Sequence, residues 1–263
     1  MTIDLNITLV QKDLVWENPE ANRSQIDRLI DAVDNTDLVI LPEMFTTGFT
    51  MNSEKLSETM EGPTVTWMKN KALETGAAIC GSLIINDDAY YNRMVFAKPD
   101  GTLEHYDKRH LFRMAGETEY FSAGKKRKIL RYKGWNIALQ VCYDLRFPVF
   151  SRNAFHKGNW EYDLLIYVAN WPSPRASAWQ TLTKARAHEN QCYVAAVNRV
   201  GKDGSGLTYD GNSSVVSAKG EHLLTFNKGE ENIKSVSVSF TDLLAFRKKF
   251  PIGEDTDDFI IQI

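Results

Sequence analysis

Short apolar runs recur along the chain, and a helical stretch or a tight turn follows each of them. Residues 38–41 read Leu-Val-Ile-Leu, and residues 163–169 read Asp-Leu-Leu-Ile-Tyr-Val-Ala. Runs this short and this apolar are typical of strands that are buried on both faces. Other stretches, such as residues 20–35 with Ile26 and Ile30, repeat apolar residues at helical spacing. This alternation predicts an α/β protein.

Two kinds of connection join the predicted strands. The turn Pro99-Asp100-Gly101 separates residues 91–98 from residues 102–106, which predicts an antiparallel hairpin. Helices between other strands predict parallel β-α-β units. The further predicted strands are residues 3–10 (half-buried), 77–85, 136–142, 192–198, 213–217, 221–226 and 233–239, and the further helices are 63–74, 148–157, 176–190 and 241–248. A mixed sheet, or two sheets, covered by helices fits this pattern, and periodicity does not choose between the two.

Charge and cysteine usage exclude several classes of partner. The formal net charge is −3, so we expect neither a nucleic-acid partner nor a membrane surface. No apolar run approaches the roughly 20 residues that span a bilayer, and the N-terminal stretch around Asp4 lacks the apolar core of a signal peptide. Three separated cysteines without a C-x-x-C pair argue against disulfides. We expect one cytoplasmic domain over residues 1–263, since no linker divides the chain.

The common nucleotide-binding and hydrolase motifs are absent from the sequence. It contains no Walker-type loop, no dinucleotide fingerprint, no H-E-x-x-H and no G-x-S-x-G. The five histidines show no metal-ligand spacing, so we expect neither a metal nor a cofactor. A protease-like pairing of Cys142 with a histidine stays open, because such pairs meet only in the folded chain.

Cys142 is the cysteine best placed for chemistry. It ends the predicted strand 136–142, and polar and charged residues follow at once. Ligands of α/β sheets bind outside the carboxyl ends of the strands, where a thiol can be partly exposed and close to charge. Cys80 and Cys192 lie inside apolar runs and are expected to be core residues.

Two charged residues occupy comparable positions, and together with Cys142 they would make a complete hydrolytic set. Glu43 follows a buried strand, and Lys108 follows the predicted hairpin; each alone could be an ordinary surface residue. If the three meet, the carboxylate can take the thiol proton during attack on an amide. The ammonium and the backbone N–H of Tyr143 can stabilise the oxyanion. Ammonia then leaves, and water hydrolyses the thioester.

Three motifs in this order resemble the nitrilase (carbon–nitrogen hydrolase) superfamily. They are "LPEMFTTGF" with Glu43, "YDKRHLF" with Lys108 and "VCYDLRFP" with Cys142, and further similarity extends through residues 168–172 and 185–201. The resemblance implies a four-layer α-β-β-α sandwich with two mixed sheets. It also implies a homodimer or a larger homo-oligomer, since family members stack through their helices.

The resemblance also implies roles for four residues. Glu43 would be the general base and acid, Lys108 the oxyanion stabiliser and Cys142 the nucleophile. A second glutamate would position the lysine and the substrate nitrogen. In "MAGETEYFSAG" Glu117 best matches this role, with Glu119 as the competitor.

The residues after the cysteine indicate the branch of the family. Tyr143-Asp144 replaces the Trp-Glu of nitrilases proper and the Asn of carbamoyl-hydrolysing members, and the sequence is most similar to bacterial omega-amidases. These cleave the terminal amide of 2-oxoglutaramate or 2-oxosuccinamate. Arg146 is an apt partner for the carboxylate of such a substrate. Phe45, Tyr143 and Trp171 are expected to wall a small pocket.

Two other hypotheses remain open at this point. The same scaffold could act on a nitrile, a carbamoyl amine or a deaminated glutathione-like amide. Alternatively, the chain could be a catalytically silent interaction module, although the intact set of Glu43, Lys108 and Cys142 favours a hydrolase.

Overall fold

Most strands of the protein belong to two six-stranded sheets. The computed structural model describes residues 4–261. The strands are β1 (Leu5–Gln11), β2 (Leu38–Ile40), β3 (Ala78–Asn86), β4 (Tyr90–Ala97), β5 (Leu103–Asp107), β6 (Lys128–Tyr132), β7 (Trp135–Val141), β8 (Phe155–His156), β9 (Asn159–Trp160), β10 (Leu164–Ala169), β11 (Tyr193–Asn198), β12 (Val200–Lys202), β13 (Thr208–Asp210), β14 (Ser214–Val216), β15 (His222–Thr225) and β16 (Asn232–Val238). The α-helices are α1 (Pro19–Ile30), α2 (Ser53–Leu56), α3 (Pro63–Thr75), α4 (Glu117–Tyr120), α5 (Pro148–Ser151), α6 (Ala176–Asn190) and α7 (Phe240–Lys249). Within residues 4–261, no helix has the length and apolar character that a membrane crossing requires.

Both sheets are mixed, as expected. The first has the order β16-β1-β2-β3-β4-β5, and the second has the order β15-β14-β11-β10-β7-β6. In the first sheet β1, β2 and β3 are parallel, and in the second β7, β10 and β11 are parallel. The outer strands pair antiparallel. Some of them form hairpins, including the predicted pair β4–β5 around Gly101, whereas β16 pairs with the distant β1.

Three apolar layers hold the elements together. The central layer lies between the sheets and contains side chains of both, such as Ile7 and Ile166. The second layer packs α1 and α3 on the outer face of the first sheet, and it contains Met68 of α3 and Val39 of β2. The third packs α6 on the second sheet around Trp179. The predicted four-layer α-β-β-α sandwich is therefore confirmed.

The first strand is more deeply buried than its alternating sequence predicts. Only Asn6 of β1 is half-buried, and the rest of the strand is buried. The reason is that the other sheet covers one face of β1 and the helices cover the other. Ile3, the first residue of the predicted strand, lies outside the described residues.

The helix predicted over residues 148–157 is wrong beyond Ser151. The chain forms only the single turn α5, and β8 and β9 follow as a two-stranded hairpin. Its turn, Lys157-Gly158, has left-handed φ angles of 51° and 81°, a pairing typical of tight hairpins. The buried Asn153 also ends the helix, because it bonds the backbone of Tyr162 and the side chain and backbone of Asn190.

The strand β6 was missed by the sequence analysis. Of its residues only Leu130 and Tyr132 are buried, Ile129 is half-buried, and Arg131 is exposed. An edge strand this short and polar has a weak sequence signal.

A buried ion pair attaches α7 to the second sheet. Arg247 Nη1 lies 2.6 Å from Asp163 Oδ1, and the guanidinium also donates to the carbonyls of Tyr162 and Gln191. Asp163 Oδ2 accepts the Asn136 N–H at 3.0 Å. Both charged side chains are more than 90% buried. Because burial removes their hydration, each charge needs the other to compensate for that loss.

We expect Arg247→Met to destabilise the protein by about 3 kcal/mol, because it leaves the Asp163 carboxylate buried without its counter-charge. The measurement is the free energy of unfolding in urea. Lys248→Met is the matched control, since this neighbour is exposed, and it should change stability by less than about 0.5 kcal/mol. Equal effects of the two substitutions would contradict the assignment.

Candidate active site

Glu43 lies at the carboxyl end of the first sheet, where the chain turns sharply after β2. Met44 has a left-handed φ of 43°, and its N–H donates to Ser82 Oγ at 2.9 Å. The Glu43 side chain is fully buried. Its Oε2 accepts the backbone N–H of Asn170 at 2.7 Å, and Asn170 Nδ2 donates to the Glu43 carbonyl at 2.6 Å. A residue of the second sheet therefore holds a carboxylate that the first sheet provides.

Cys142 lies directly after β7 on a strained turn. Its φ is 45°, a conformation that is uncommon for a residue other than glycine. The turn is held by Asp144, which is buried and whose Oδ2 accepts the Val141 N–H at 2.9 Å and the Tyr106 hydroxyl at 2.7 Å. The thiol is half-buried and lies 4.0 Å from the Asn170 carbonyl oxygen. The turn thus points the sulfur away from the strand and towards a pocket.

Lys108 joins the two predicted glutamates. Its Nζ lies 2.9 Å from Glu43 Oε1 and 2.9 Å from Glu117 Oε2, and all three side chains are completely buried. Asn92 in β4 donates to both carboxylates, at 2.8 and 3.2 Å. The backbone N–H of Phe112 adds a bond of 2.5 Å to Glu117. We refer to Glu43, Lys108 and Glu117 as the buried charge cluster.

The structure also separates the two candidates for the second glutamate. Glu117 reaches Lys108, whereas Glu119 is exposed to solvent. Both belong to α4, a single turn that begins after Gly116, whose φ is 76°.

The buried charge cluster and the thiol shift one another's pKa values. Burial opposes the charge on Lys108, but Glu117 and Glu43 outweigh it and raise the pKa of the ammonium. Burial raises the pKa of Glu117, the charge on Glu43 adds to this rise, and Lys108 opposes it. Burial also raises the pKa of the Cys142 thiol well above its usual range, and the charge on Glu43 adds to it. The free thiol is therefore protonated at neutral pH.

A pocket opens beside Cys142 and encloses about 490 Å³, open mouth included. It is lined by Phe49, Phe112, Ala115, Cys142, Tyr143, Arg146, Asn170, Trp171, Pro172, Arg175, Leu207 and Tyr209. Among the residues named from the sequence, Tyr143, Arg146 and Trp171 lie here. Within the described chain no histidine lines this pocket, and His110 instead contacts Asp144 at 2.7 Å. The arrangement thus offers no histidine partner for the thiol.

Phe45, in contrast, does not line the pocket. It is fully buried in the layer between the first sheet and α3, with its ring centroid 6.0 Å from that of Trp67. The sharp turn at Met44 directs the next side chain back to the core, where Phe45 packs closely on Gly81. Phe49, four residues later, lines the pocket in its place.

Several residues of the site were missed by the sequence analysis. Asn92 and Asn170 hold the carboxylates, and Arg175 lines the pocket. Asn170 carried a usable signal, because it follows the buried strand β10 as Cys142 follows β7. Asn92 carried only a weak one, a buried amide within a strand. Arg175 carried none, since a single arginine before a helix is usually on the surface.

Comparisons with known proteins identify the family of the chain. The sequence model of the family described as "Carbon-nitrogen hydrolase" matches residues 6–248. The chain is 46% identical to "Omega-amidase YafV" of Yersinia enterocolitica, over 98% of each chain. It is 30% identical to "2-oxoglutaramate amidase" of Bacillus subtilis, over 95% of this chain and 96% of the other. The crystal structure of XC1258 from Xanthomonas campestris, titled as a CN-hydrolase superfamily protein, superposes with a TM-score of 0.96 at 45% identity and covers 99% of this chain and 100% of the other.

We expect alkylation of Cys142 by iodoacetamide to report the raised thiol pKa. Only the thiolate reacts, so the rate should rise with pH and reach its midpoint above the usual value of about 8.5. Glu43→Gln removes a negative charge that disfavours the thiolate, so the midpoint should move to lower pH. Peptide mass spectrometry over a pH series measures this rate.

Cys142→Ala gives the blank for this experiment, because Cys80 and Cys192 are fully buried and should stay unlabelled. A midpoint below 8.5 in the wild type, or one that rises in Glu43→Gln, would show that the described charges do not control the thiol.

Proposed function

The chain belongs to the carbon–nitrogen hydrolase family, and on that premise we propose that it is a cysteine-dependent amidohydrolase of the omega-amidase type. It hydrolyses the terminal amide of small 2-oxo dicarboxylic acid monoamides, such as 2-oxoglutaramate and 2-oxosuccinamate, to the 2-oxo acid and ammonia. The observation that carries this proposal is the buried charge cluster beside a pocket that contains the Cys142 thiol.

The first half of the reaction forms a thioester. Glu43 takes the thiol proton of Cys142 as the sulfur attacks the amide carbon. The carbonyl oxygen becomes an oxyanion, which the Lys108 ammonium and the backbone N–H of Tyr143 stabilise. The tetrahedral intermediate collapses, Glu43 returns the proton to the nitrogen, and ammonia leaves.

The second half of the reaction repeats these roles with water. Glu43 takes a proton from a water molecule that attacks the thioester, and Lys108 again stabilises the oxyanion. The C–S bond breaks, and the proton returns from Glu43 to the thiolate of Cys142. Glu117 keeps Lys108 charged and in place throughout, which its bonds of 2.9 and 3.0 Å to Nζ support.

Pocket residues supply contacts for the rest of the substrate. Arg146, whose guanidinium carbon lies 5.1 Å from the centre of the Trp171 ring, can bind the substrate carboxylate. Tyr143 and Trp171 form apolar walls, and Tyr143 contacts Phe112 edge to face at 5.0 Å between ring centroids.

Three further properties are part of the proposal. The chain forms one hydrolase domain, which the family match over residues 6–248 supports. It forms a homodimer or a larger homo-oligomer, which would cover exposed apolar side chains such as Val149 and Phe250. It works in the cytoplasm, where its three unpaired cysteines would remain reduced.

We expect the wild-type protein to release ammonia from 2-oxoglutaramate and 2-oxosuccinamate, and Cys142→Ala to lower kcat by about 10⁴-fold or more. Ammonia release measures the activity, and the urea unfolding transition should not change. Cys192→Ala, a core cysteine, is the control and should retain activity within a few-fold. Wild-type turnover by Cys142→Ala would refute the nucleophile, and turnover of nitriles or carbamoyl amines instead of ω-amides would refute the substrate class.

We expect Glu117→Gln to lower kcat by about 100-fold, because Lys108 loses the charge that holds its ammonium at the oxyanion. Glu119→Gln is matched in chemistry and lies two residues away on the same helical turn, but its side chain is exposed. It should stay within twofold of the wild type in the same ammonia assay. A larger loss of kcat in Glu119→Gln than in Glu117→Gln would show that Glu119 is the second glutamate.

A further inference from the structure

The pocket beside Cys142 holds two positive charges and no negative one. Arg146 and Arg175 are among its lining residues, and within the described chain no aspartate or glutamate lines it. Neither guanidinium makes an ion pair with another described residue. The pocket therefore offers an anion two planar groups of donors on otherwise aromatic and apolar walls.

The fully buried arginines of the described chain show what these two lack. Each of them pairs with a carboxylate: Arg93 with Asp107, Arg186 with Glu189, Arg199 with Asp13 and Arg247 with Asp163. A buried guanidinium needs such a partner, because burial removes its hydration. Arg175 is half-buried, and within the described chain its guanidinium has neither a carboxylate partner nor a hydrogen bond. Other half-buried arginines without a carboxylate, such as Arg109 and Arg152, donate to backbone carbonyls instead. The donors of Arg175 are therefore available to a ligand.

The local structure fixes Arg175 at the pocket wall. Its carbonyl oxygen accepts the Trp171 indole N–H at 2.7 Å, and its N–H donates to the Pro172 carbonyl at 3.0 Å. Its guanidinium carbon lies 5.1 Å from the centre of the Phe112 ring. The backbone N–H of that same Phe112 bonds Glu117. Arg175 is thus positioned on a residue that also contacts the buried charge cluster.

We propose that Arg175 is the principal residue that binds the substrate's carboxylate and so determines specificity, with Arg146 as a weaker second contact. The inference rests on the proposed function and names the residue that selects its substrates. Arg146 is exposed, and an exposed ion pair contributes little because water competes for both charges. Arg175 is half-buried on an aromatic face, where a bidentate pair with a carboxylate is stronger.

Trp171 connects the two arginines. Its ring lies beneath the Arg146 guanidinium, and its indole N–H holds the Arg175 backbone. Trp171 is almost fully buried and packs on Trp179 of α6, with 5.6 Å between ring centroids. The carboxylate-binding side of the pocket therefore rests on the helix layer of the second sheet.

The kinetic test compares three five-carbon amides: 2-oxoglutaramate, glutaramate (no 2-oxo group) and pentanamide (no carboxylate). Arg175→Met should lower kcat/KM for both carboxylates by about 30-fold or more, as expected when one partner of a partly buried charge pair is removed. It should change kcat/KM for pentanamide by less than about twofold. Arg146→Met should lower kcat/KM for the two carboxylate-bearing amides only about threefold. For the same amides, Arg175→Lys should have a kcat/KM between those of the wild type and Arg175→Met, because lysine keeps the charge but loses the bidentate geometry.

A binding measurement makes the test independent of turnover. 2-Oxoglutarate should protect Cys142 from iodoacetamide, and the concentration for half-protection should rise about 30-fold in Arg175→Met but only about threefold in Arg146→Met. Unfolding in urea should be the same for both variants.

The outcomes separate this inference from the proposed function. If the wild type releases no ammonia from any amide, but protection still depends on Arg175, the proposed reaction is wrong and the anion site stands. The inference is overturned if ω-amides are hydrolysed but Arg175→Met has the kinetics of the wild type. It is also overturned if Arg175→Met lowers kcat/KM for pentanamide as strongly as for glutaramate. A larger loss in Arg146→Met than in Arg175→Met would also overturn it.

Discussion

The contact of Lys108 with two buried carboxylates is the interaction on which the rest of the site depends. Glu43, Lys108 and Glu117 are completely buried, and unpaired charges at such depth would each cost several kcal/mol. One ammonium between two carboxylates leaves the cluster with an excess negative charge, which Asn92 and two backbone N–H groups partly compensate. Burial raises the pKa of the Cys142 thiol, and the negative charge on Glu43 adds to this rise. The same Glu43 carboxylate is the base in the proposed reaction.

The cluster also explains why the site requires both sheets. Glu43, Lys108 and Asn92 come from the first sheet, whereas Cys142 and Asn170 follow strands of the second. The bonds between Asn170 and Glu43 cross from one sheet to the other. Packing of the apolar layer between the sheets therefore sets the distance between the Glu43 carboxylate and the Cys142 thiol. The strained turn at Cys142, held by Asp144, sets the direction of the sulfur.

Negative and positive charges occupy different parts of the site. Negative charge is in excess at the buried charge cluster, whereas the pocket is lined by the positive charges of Arg146 and Arg175. In the proposed reaction, an ω-amide with a carboxylate at its far end matches this order, because its neutral amide would lie towards the buried carboxylates and its anionic end towards the guanidiniums. The aromatic side chains of Phe49, Phe112 and Trp171 line the same pocket.

The sequence by itself determined the α/β class, most of the strands, and Glu43, Lys108 and Cys142 as candidate catalytic residues. Local sequence patterns indicate each of these, namely apolar runs, turn residues and polar residues directly after strands. The four layers followed from family resemblance and not from periodicity. Local patterns gave a wrong prediction at two places. Phe45 was expected to line the pocket, but the turn at Met44 directs it to the core. Residues 152–157 were expected to be helical, but Asn153 bonds α6 instead. Only the tertiary structure decided that Glu117 and not Glu119 reaches Lys108. It also decided that Asn92 and Asn170 hold the carboxylates and that Arg175 lines the pocket. These contacts join residues that lie far apart in the sequence and meet only when two sheets and their helices pack together, so no local sequence pattern encodes them.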